Sequence, residues 1–298
     1  MTPLISVRDL VIEFDTPLGR KRVVNQVSFE VNPGEILGIL GESGSGKTMS
    51  TQAVLGLIDG EPGIVSGEIL IDNHETRIST LADLKQYTKV KGSTKDHELI
   101  VKNNRGWKRH IHQVMKPLWG NIVTAIFQNP RRSLDPLMTI GQQITEALPV
   151  HSIAPSEKKM KAIEWLTRVQ MTQPDRVYDS YPHELSGGMC QRAMIAVALA
   201  CEPKILIADE PTTGLDATVR AQVVTLLKDL IRQQKCSMLY ISHDIREMLY
   251  LTDKVIVMRH GEIVERVMTD VMKSGQGTRH PYTQTLLSTS GLIEGALS

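Results

Sequence analysis

Short apolar runs, many of them β-branched, alternate along the chain with stretches in which apolar residues recur at helical spacing. The predicted strands are Ile5–Phe14, Val27–Val31, Ile36–Leu40, Ile205–Ala208, Ser237–Ser242 and Lys254–Met258. The predicted helices are Lys47–Leu57, Ser156–Val169, Gln191–Cys201, Ala217–Gln234 and Ile245–Thr252. Repeated strand, loop and helix predict an α/β protein with a mostly parallel central sheet. The first two strands, joined by a turn at Pro17–Gly19, predict an antiparallel region.

The segment from Thr76 to Lys116 interrupts this alternation and is strongly basic. It contains ten Lys or Arg and three Asp or Glu, a net charge of +7, so the remainder of the chain carries −6 although the total is +1. We interpret residues 77–116 as an insertion. Its charge fits a solvated surface loop, which most charge runs form, or a docking surface for a partner protein or anionic lipid.

Composition narrows the class of protein further. No apolar run approaches the roughly 20 residues that span a bilayer, and the first residues lack a basic segment followed by an apolar stretch. The near-neutral total charge does not indicate a nucleic-acid partner. Cys190, Cys201 and Cys236 form no Cys-x-x-Cys pair, so we expect reduced thiols without a metal site. These features predict a cytoplasmic protein.

The first motif with clear chemistry is GESGSGKT, which lies between a predicted buried strand and a predicted helix. Its glycines let successive backbone N–H groups turn inward around phosphates, and the helix adds the positive end of its dipole. Lys47 would neutralise the β- and γ-phosphates, and Thr48 would bind Mg²⁺. The predicted nucleotide-binding residues are Gly41, Glu42, Ser43, Gly44, Ser45, Gly46, Lys47, Thr48 and Met49.

A second motif, KILIADEP, ends an apolar strand in two adjacent carboxylates. Open α/β sheets bind ligands at the carboxyl ends of their strands. We expect Asp209 to hold Mg²⁺ through water and Glu210 to orient or deprotonate the attacking water. Together the two motifs indicate a P-loop ATPase or GTPase, without deciding between them.

The peptide LSGGMCQR resembles the signature of ABC ATPases, which narrows the class to that family. Ser186, Gly187 and Gly188 lie at the predicted start of a helix, where small residues let N–H groups and a hydroxyl approach a γ-phosphate. The resemblance implies that this phosphate belongs to ATP bound by another subunit. It also implies the P-loop NTPase fold of ABC ATPases, with an antiparallel β-subdomain and a helical subdomain at about residues 129–200 within one domain spanning 1–298.

Other matches follow in the order that the family has. Gln128 in AIFQNP is similar to the Q-loop glutamine, which contacts Mg²⁺ and water. Gly214–Asp216 is similar to the D-loop. His243 is similar to the switch histidine, which contacts the γ-phosphate. The resemblance therefore implies ATP and Mg²⁺ as cofactors. It implies Glu210, His243 and Gln128 as catalytic residues and Thr48, Gln128 and Asp209 as metal ligands. Ser186 and Gly188 would complete the site of a neighbouring subunit.

Four further segments resemble the ATPase subunits of bacterial peptide and nickel importers: FQNPRRSLDP, IGQQITEAL, YPHELSGGM and RHPYTQTLL. The implied partners are two transmembrane permease subunits, a second ATPase in a homo- or heterodimer and, indirectly, an extracytoplasmic binding protein. No nucleic acid is expected. The implied location is the cytoplasmic face of the inner membrane, as a peripheral protein.

The chain departs from these relatives in three ways. No aromatic residue lies between Asp15 and Gln26, where many relatives place an adenine-stacking ring, so Phe14 is the nearest candidate. The end of the chain lacks the cysteines that hold an iron–sulfur cluster in many peptide importers, so no cluster is expected. The basic insertion is longer than in most relatives. This insertion leaves open a second hypothesis, that the chain is a soluble ABC ATPase which remodels an enzyme complex or nucleic acid.

Overall fold

The computed structural model describes residues 2–72, 77–93, 98–149, 153–274 and 277–290. The chain divides into two compact units, one formed by residues 1–118 with 241–298 and the other by residues 119–240. Of the basic insertion, residues 94–97 lie outside the described residues, as does Thr76. Within the described part of the chain, none of the helices is long and apolar enough to span a membrane.

Up to Met115, the residues that the structure describes form seven strands and three helices of the first unit. They are β1 (Ile5–Thr16), β2 (Gly19–Val31), β3 (Ile36–Leu40), α1 (Lys47–Val54), β4 (Pro62–Asp72), β5 (Arg77–Ser79), α2 (Leu84–Tyr87), β6 (Thr88–Ser93), β7 (Glu98–Lys102) and α3 (Asn104–Met115).

The second unit begins and ends with strands, and between them it contains helices and one further strand in the described residues. Its elements are β8 (Val123–Ile126), α4 (Pro130–Ser133), α5 (Ile140–Ala147), α6 (Lys158–Arg168), α7 (Pro174–Tyr178), α8 (Gly187–Ala200), β9 (Ile205–Asp209), α9 (Ala217–Gln234) and β10 (Ser237–Ser242), which crosses the boundary between the units. The chain then returns to the first unit with α10 (Ile245–Leu251), β11 (Lys254–Arg259), β12 (Glu262–Met268), α11 (Thr269–Ser274) and α12 (Pro281–Thr289).

Two kinds of sheet pairing occur in the first unit. Strands β2, β1, β4 and β5 form an antiparallel sheet in that order, as the sequence predicted for the first two strands. Strand β3 pairs in parallel with β11, and β11 pairs antiparallel with β12. All five residues of β3 are buried, because both faces of this strand are covered.

The insertion contains regular structure where it is described. Strands β6 and β7 form an antiparallel hairpin, and α3 buries Trp107, Ile111 and Met115. This spacing of four residues is a helical signal that the surrounding charges obscure in the sequence. Helix α3 packs on the end of α1: a Cβ at Gly56 would lie 2.7 Å from Met115 Cγ.

Gly56 explains why α1 is shorter than predicted. The sequence predicted a helix over Lys47–Leu57, but α1 ends at Val54. Gly56 adopts a φ of +69°, which terminates a helix readily because glycine carries no Cβ. The β1 and β2 strands, in contrast, extend beyond their predicted limits up to the Pro17–Leu18 turn.

In the second unit, strands β8 and β9 pair in parallel and β10 lies beside β9. Helix α8 packs against α4, α5, α6 and α9, which explains why nine of its 14 residues are buried. The sequence predicted this helix to begin at Gln191; it begins at Gly187, directly after the capping Ser186. The predicted division into an insertion at 77–116 and a helical subdomain at 129–200 stays a prediction.

Candidate nucleotide-binding and catalytic site

The GESGSGKT loop connects the buried end of β3 to the first turn of α1. Gly41 lies so close to the end of β11 that a Cβ there would come 2.3 Å from the Met258 carbonyl oxygen and 2.7 Å from Ser45 Oγ. Gly44 and Gly46 have φ values of +80° and +100°, in the left-handed region that favours glycine. The loop therefore depends on glycine for close approach at its start and for backbone conformation further along.

Lys47 is the first residue of α1 and is only 4% exposed. Its Nζ donates hydrogen bonds to the carbonyl oxygens of Gly41, at 2.8 Å, and Glu42, at 2.9 Å. The lysine thus folds back over the loop and holds its cationic end at the loop's own carbonyl groups. A buried ammonium with backbone partners is a strong point charge for an anion.

Ser45 contributes the clearest unsatisfied polar group of the loop. The residue is 5% exposed, and its Oγ is buried without a hydrogen-bond partner. Its carbonyl oxygen accepts from Gly261 N at 3.0 Å, which fixes the loop to the β11–β12 turn. A buried hydroxyl without a partner is costly, and a phosphate oxygen is the kind of acceptor that would satisfy it.

His243 follows β10 and lies at a cavity of about 350 Å³ in the first unit. Leu40, the last residue of β3, lines the same cavity, so the histidine lies near the point where the phosphate loop begins. Asp244 caps α10 by accepting a bond from Arg246 N at 2.8 Å. The buried Ser242 hydroxyl donates to Glu247 at 2.9 Å. These bonds fix the backbone on both sides of the exposed His243 side chain.

The two predicted carboxylates lie at the end of β9, as the motif suggested. Asp209 is 8% exposed, whereas Glu210 is half-buried and has a φ of +45°. Glu210 accepts hydrogen bonds from Gln128 Nε2 at 3.3 Å and from Thr213 Oγ1 at 3.1 Å. A non-glycine residue at positive φ carries local strain, and such strain is concentrated at functional sites. Gln128 and Glu210 are thus in direct contact within this unit.

The signature peptide lies at the start of α8. Ser186 caps the helix: its hydroxyl accepts from Met189 N at 3.3 Å. A Cβ at Gly187 would meet nothing within 4 Å, whereas one at Gly188 would lie 2.9 Å from Val219 Cγ1 in α9. Gly187 therefore presents bare backbone to open space, and Gly188 allows α8 to pack closely on α9.

The predicted D-loop is the cap of α9. Gly214 has a φ of +81°, and the Asp216 carboxylate accepts hydrogen bonds from Thr218 N at 3.1 Å and Val219 N at 3.0 Å. Since Gly188 packs on Val219, the signature peptide and the D-loop are neighbours within this unit.

Two contacts near the predicted residues were not found from the sequence. The Tyr282 hydroxyl accepts a hydrogen bond from Glu42 N, in the phosphate loop, at 3.1 Å. Arg131 donates to the carbonyl oxygen of Leu185, the first residue of the signature peptide, at 3.0 Å. Both residues lie in segments quoted for their resemblance to importers, RHPYTQTLL and FQNPRRSLDP, but nothing local indicated what they touch.

Phe14, the nearest aromatic candidate for an adenine-stacking ring, packs against Gly60. A Cβ at Gly60 would lie 2.7 Å from two atoms of the ring. In the segment without aromatic residues, Arg22 instead forms an ion pair with the buried Glu13 at 2.9 Å and donates to Asn25 at 3.0 Å.

A buried strand, a glycine loop and a buried lysine at a helix N-terminus, together with two carboxylates after a parallel strand, define a P-loop nucleotide hydrolase. The profile of the ABC transporter family matches residues 24–213. The oligopeptide transport ATP-binding protein OppD of Bacillus subtilis is 38% identical over 99% of this chain and 74% of its own length. The dipeptide transport ATP-binding protein DppD of Escherichia coli is 40% identical over 95% of this chain and 77% of its own length.

The chain belongs to the ABC transporter family. It is an ATP-binding subunit, which in this family hydrolyses ATP to drive transport. A solved ATP-binding cassette, described as dimeric and bound to ADP and Pi, matches with a TM-score of 0.68 and 23% identity over 89% of this chain and 98% of its own. This likeness confirms the predicted fold class, and the relatives favour a transport ATPase over a soluble remodelling ATPase.

Proposed function

We propose that this chain powers a membrane importer of short peptides, from the cytoplasmic face of the membrane. The observation that carries the proposal is the extent of the similarity. Relatives named for oligopeptide and dipeptide transport match over 95–99% of the chain, far beyond the nucleotide motifs. The names of these relatives favour peptides over nickel or a metal chelate. Transport ATP-binding relatives also support permease subunits as partners.

The phosphate loop and Lys47 bind the triphosphate in this proposal. Lys47 Nζ lies against two carbonyl groups of the loop that would hold the phosphates. Ser45 Oγ supplies a donor that has no other acceptor. Because both groups are already buried, little side-chain ordering remains when the nucleotide binds, which favours affinity.

The metal ligands proposed are Thr48, Gln128 and Asp209, a set of hydroxyl, amide and carboxylate oxygens. Such hard donors suit Mg²⁺, which takes one or two protein carboxylates and completes its shell with water and phosphate. The burial of Asp209, 8% exposed, is consistent with a carboxylate whose charge a cation offsets. Mg²⁺ would neutralise charge on the β- and γ-phosphates.

Glu210 is the proposed base that orients the attacking water. Gln128 and Thr213 both donate to Glu210 Oε2, so they hold the carboxylate in one rotamer. The proton of the water passes to Glu210 as the water oxygen attacks phosphorus and the bond to ADP breaks. His243, on a backbone fixed by capped α10, is the proposed donor to the γ-phosphate.

In this proposal a second ATPase subunit completes the site. The dimeric state of the structurally similar ATP-binding cassette supports a second subunit. Ser186 and Gly187 are exposed at the start of α8, with open space around Gly187. This surface can offer a hydroxyl and helix N–H groups to a phosphate held by another chain. ATP would then join two subunits and hydrolysis would release them, a change that permease subunits can follow.

The test uses the assembled transporter in proteoliposomes, with its permease subunits, its second ATPase and its peptide-loaded binding protein. Loaded binding protein should raise ATP turnover. Lys47→Ala should abolish ATP binding, and Glu210→Gln should keep ATP binding but lower turnover in its own site by at least about a hundredfold. Lys161→Ala is the matched control, because this half-buried lysine pairs with Glu164 on α6, outside the nucleotide motifs.

Two results would contradict the proposal. Turnover that ignores the permease subunits and the loaded binding protein would exclude coupling to import. Unchanged turnover in the Lys47→Ala and Glu210→Gln variants would exclude the assigned site itself.

A further inference from the structure

Helix α12, the last described helix, contacts the phosphate loop through one side chain. The Tyr282 hydroxyl accepts a hydrogen bond from Glu42 N at 3.1 Å, across 240 residues of sequence. Tyr282 is 6% exposed, so most of its side chain is shielded from water. The P-loop motif itself includes no residue from this part of the chain.

The local structure holds Tyr282 firmly in place. His280 caps α12, its Nδ1 accepting from Tyr282 N at 3.2 Å, and Pro281 occupies the first turn. The Arg259 guanidinium lies over the Tyr282 ring, 4.8 Å from its centroid. Capping fixes the backbone of Tyr282, and the cation over the ring fixes its side chain.

The bond acts on a peptide group that Lys47 also holds. Glu42 N and the Gly41 carbonyl belong to the same peptide group. The N–H end donates to Tyr282, and the carbonyl end accepts from Lys47 Nζ at 2.8 Å. Rotation of this peptide group would break both bonds together, so Tyr282 determines where the Gly41 carbonyl places the ammonium of Lys47.

Tyr282 remains a neutral phenol at physiological pH. Burial is the main cause that raises the pKa of its hydroxyl above the usual value of 10, and the nearby Glu42 carboxylate adds to the effect. A neutral hydroxyl keeps a lone pair for the Glu42 N–H and adds no negative charge near a triphosphate.

The other end of α12 contacts α10, the helix that follows His243. Arg246 donates to the Ser290 carbonyl oxygen at 3.0 Å, and Leu286 and Thr289 line the cavity beside His243. One helix therefore contacts the phosphate loop and lines the cavity beside His243.

We propose that Tyr282 is a positioning residue for ATP binding, which holds the Gly41–Glu42 peptide group so that Lys47 is set for the triphosphate. The inference rests on the proposed function, since it assigns the loop to ATP. It assigns Tyr282 no contact with the nucleotide.

The experiment compares Tyr282→Phe with Thr285→Ala in the full-length chain and in the assembled transporter. Phenylalanine keeps the ring beneath Arg259 and removes only the hydroxyl. Thr285 lies on the same helix with an exposed hydroxyl that bonds the Pro281 carbonyl. ATP affinity is measured by isothermal titration calorimetry, melting temperature with and without ATP, and KM and kcat in proteoliposomes.

Tyr282→Phe should raise the dissociation constant for ATP about two- to tenfold, the effect of one lost hydrogen bond. The KM for ATP should rise by a similar factor, with kcat within about twofold of the parent, because Glu210 and Gln128 are untouched. ATP should also raise the melting temperature less than in the parent. Thr285→Ala should match the parent in all of these measurements.

Two results would overturn the inference. If Tyr282→Phe lowered the melting temperature equally with and without ATP and left affinity unchanged, Tyr282 would only stabilise the fold. If Thr285→Ala weakened ATP binding as much as Tyr282→Phe, the helix and not the hydroxyl would be responsible. Either failure leaves the proposed function intact, because that proposal fails only on Lys47→Ala, Glu210→Gln and the permease dependence.

Discussion

Substitution of Gly41 by alanine tests whether the phosphate loop works through its fixed geometry. A Cβ at this position would lie 2.3 Å from the Met258 carbonyl oxygen and 2.7 Å from Ser45 Oγ. Neither neighbour is the flexible end of a long side chain. Since real Cβ atoms essentially never approach closer than 3.0 Å, the loop and β11 must separate by about 0.7 Å or more.

The separation would disturb the bonds that Lys47 makes to the Gly41 and Glu42 carbonyl groups. Hydrogen bonds to charged groups contribute about 1.5–3 kcal/mol each. If the displaced Lys47 lost one bond of this strength to the triphosphate, ATP binding would weaken by about 10- to 100-fold. Gly41→Ala should therefore raise the dissociation constant for ATP by at least about tenfold, as measured by calorimetry.

Two glycines provide matched controls for the backbone. Gly44 and Gly34 both have positive φ values, +80° and +73°, and a Cβ at either would meet nothing within 4 Å. Alanine at each position should lower the free energy of unfolding by about 1–2 kcal/mol, because an L side chain is strained there. Only Gly44→Ala, within the loop, should also weaken ATP binding; Gly34→Ala should leave the affinity unchanged.

The reasoning would be refuted if Gly41→Ala bound ATP as tightly as the parent. It would also fail if Gly34→Ala weakened binding as much as Gly44→Ala, because the effect would then follow from lost stability alone. Urea unfolding of all three variants separates affinity from stability.

Three further predictions concern other parts of the chain. Burial lowers the pKa of Lys102 from 10.5 to about 7, so the folded chain loses this proton at a lower pH than the unfolded chain. The free energy of unfolding should therefore rise between pH 7 and 10.5, by at most about 1.4 kcal/mol per pH unit. Lys102→Met should remove this rise in urea unfolding, and an unchanged pH dependence in the variant would contradict the prediction. Ser186→Ala should lower the free energy of unfolding by about 1 kcal/mol, because the helix cap is lost. Gly187→Ala should lower ATP turnover of the assembly and leave the free energy of unfolding unchanged. If both variants lost the same stability, the two residues would not have these different roles. Burial raises the pKa of the Cys236 thiol to about 12, from its usual value of 9. A thiol reagent at about pH 8 should therefore modify Cys236 about a thousandfold more slowly in the folded than in the unfolded chain. Rapid modification of the folded chain would contradict this burial.

The sequence alone predicted the elements that carry the motifs because their physics is local. A phosphate loop is made of consecutive N–H groups at the start of a helix. The loop GESGSGKT between β3 and α1 could therefore be predicted from seven or eight neighbouring positions. The carboxylates after β9 follow from the same local chemistry. The cap at Ser186 was not predicted, since the helix was expected to begin at Gln191 and not at Gly187. The helix over residues 104–115 was missed because its three buried residues stand among many charges.

Only the tertiary structure decided which distant segments support these motifs. Tyr282 and Glu42 are separated by 240 residues, and Arg131 and Leu185 by 54. No period of 2 or 3.6 residues encodes such pairs, because they depend on how whole elements pack. The early end of α1 is, in contrast, a local effect of Gly56, whose φ of +69° terminates the helix.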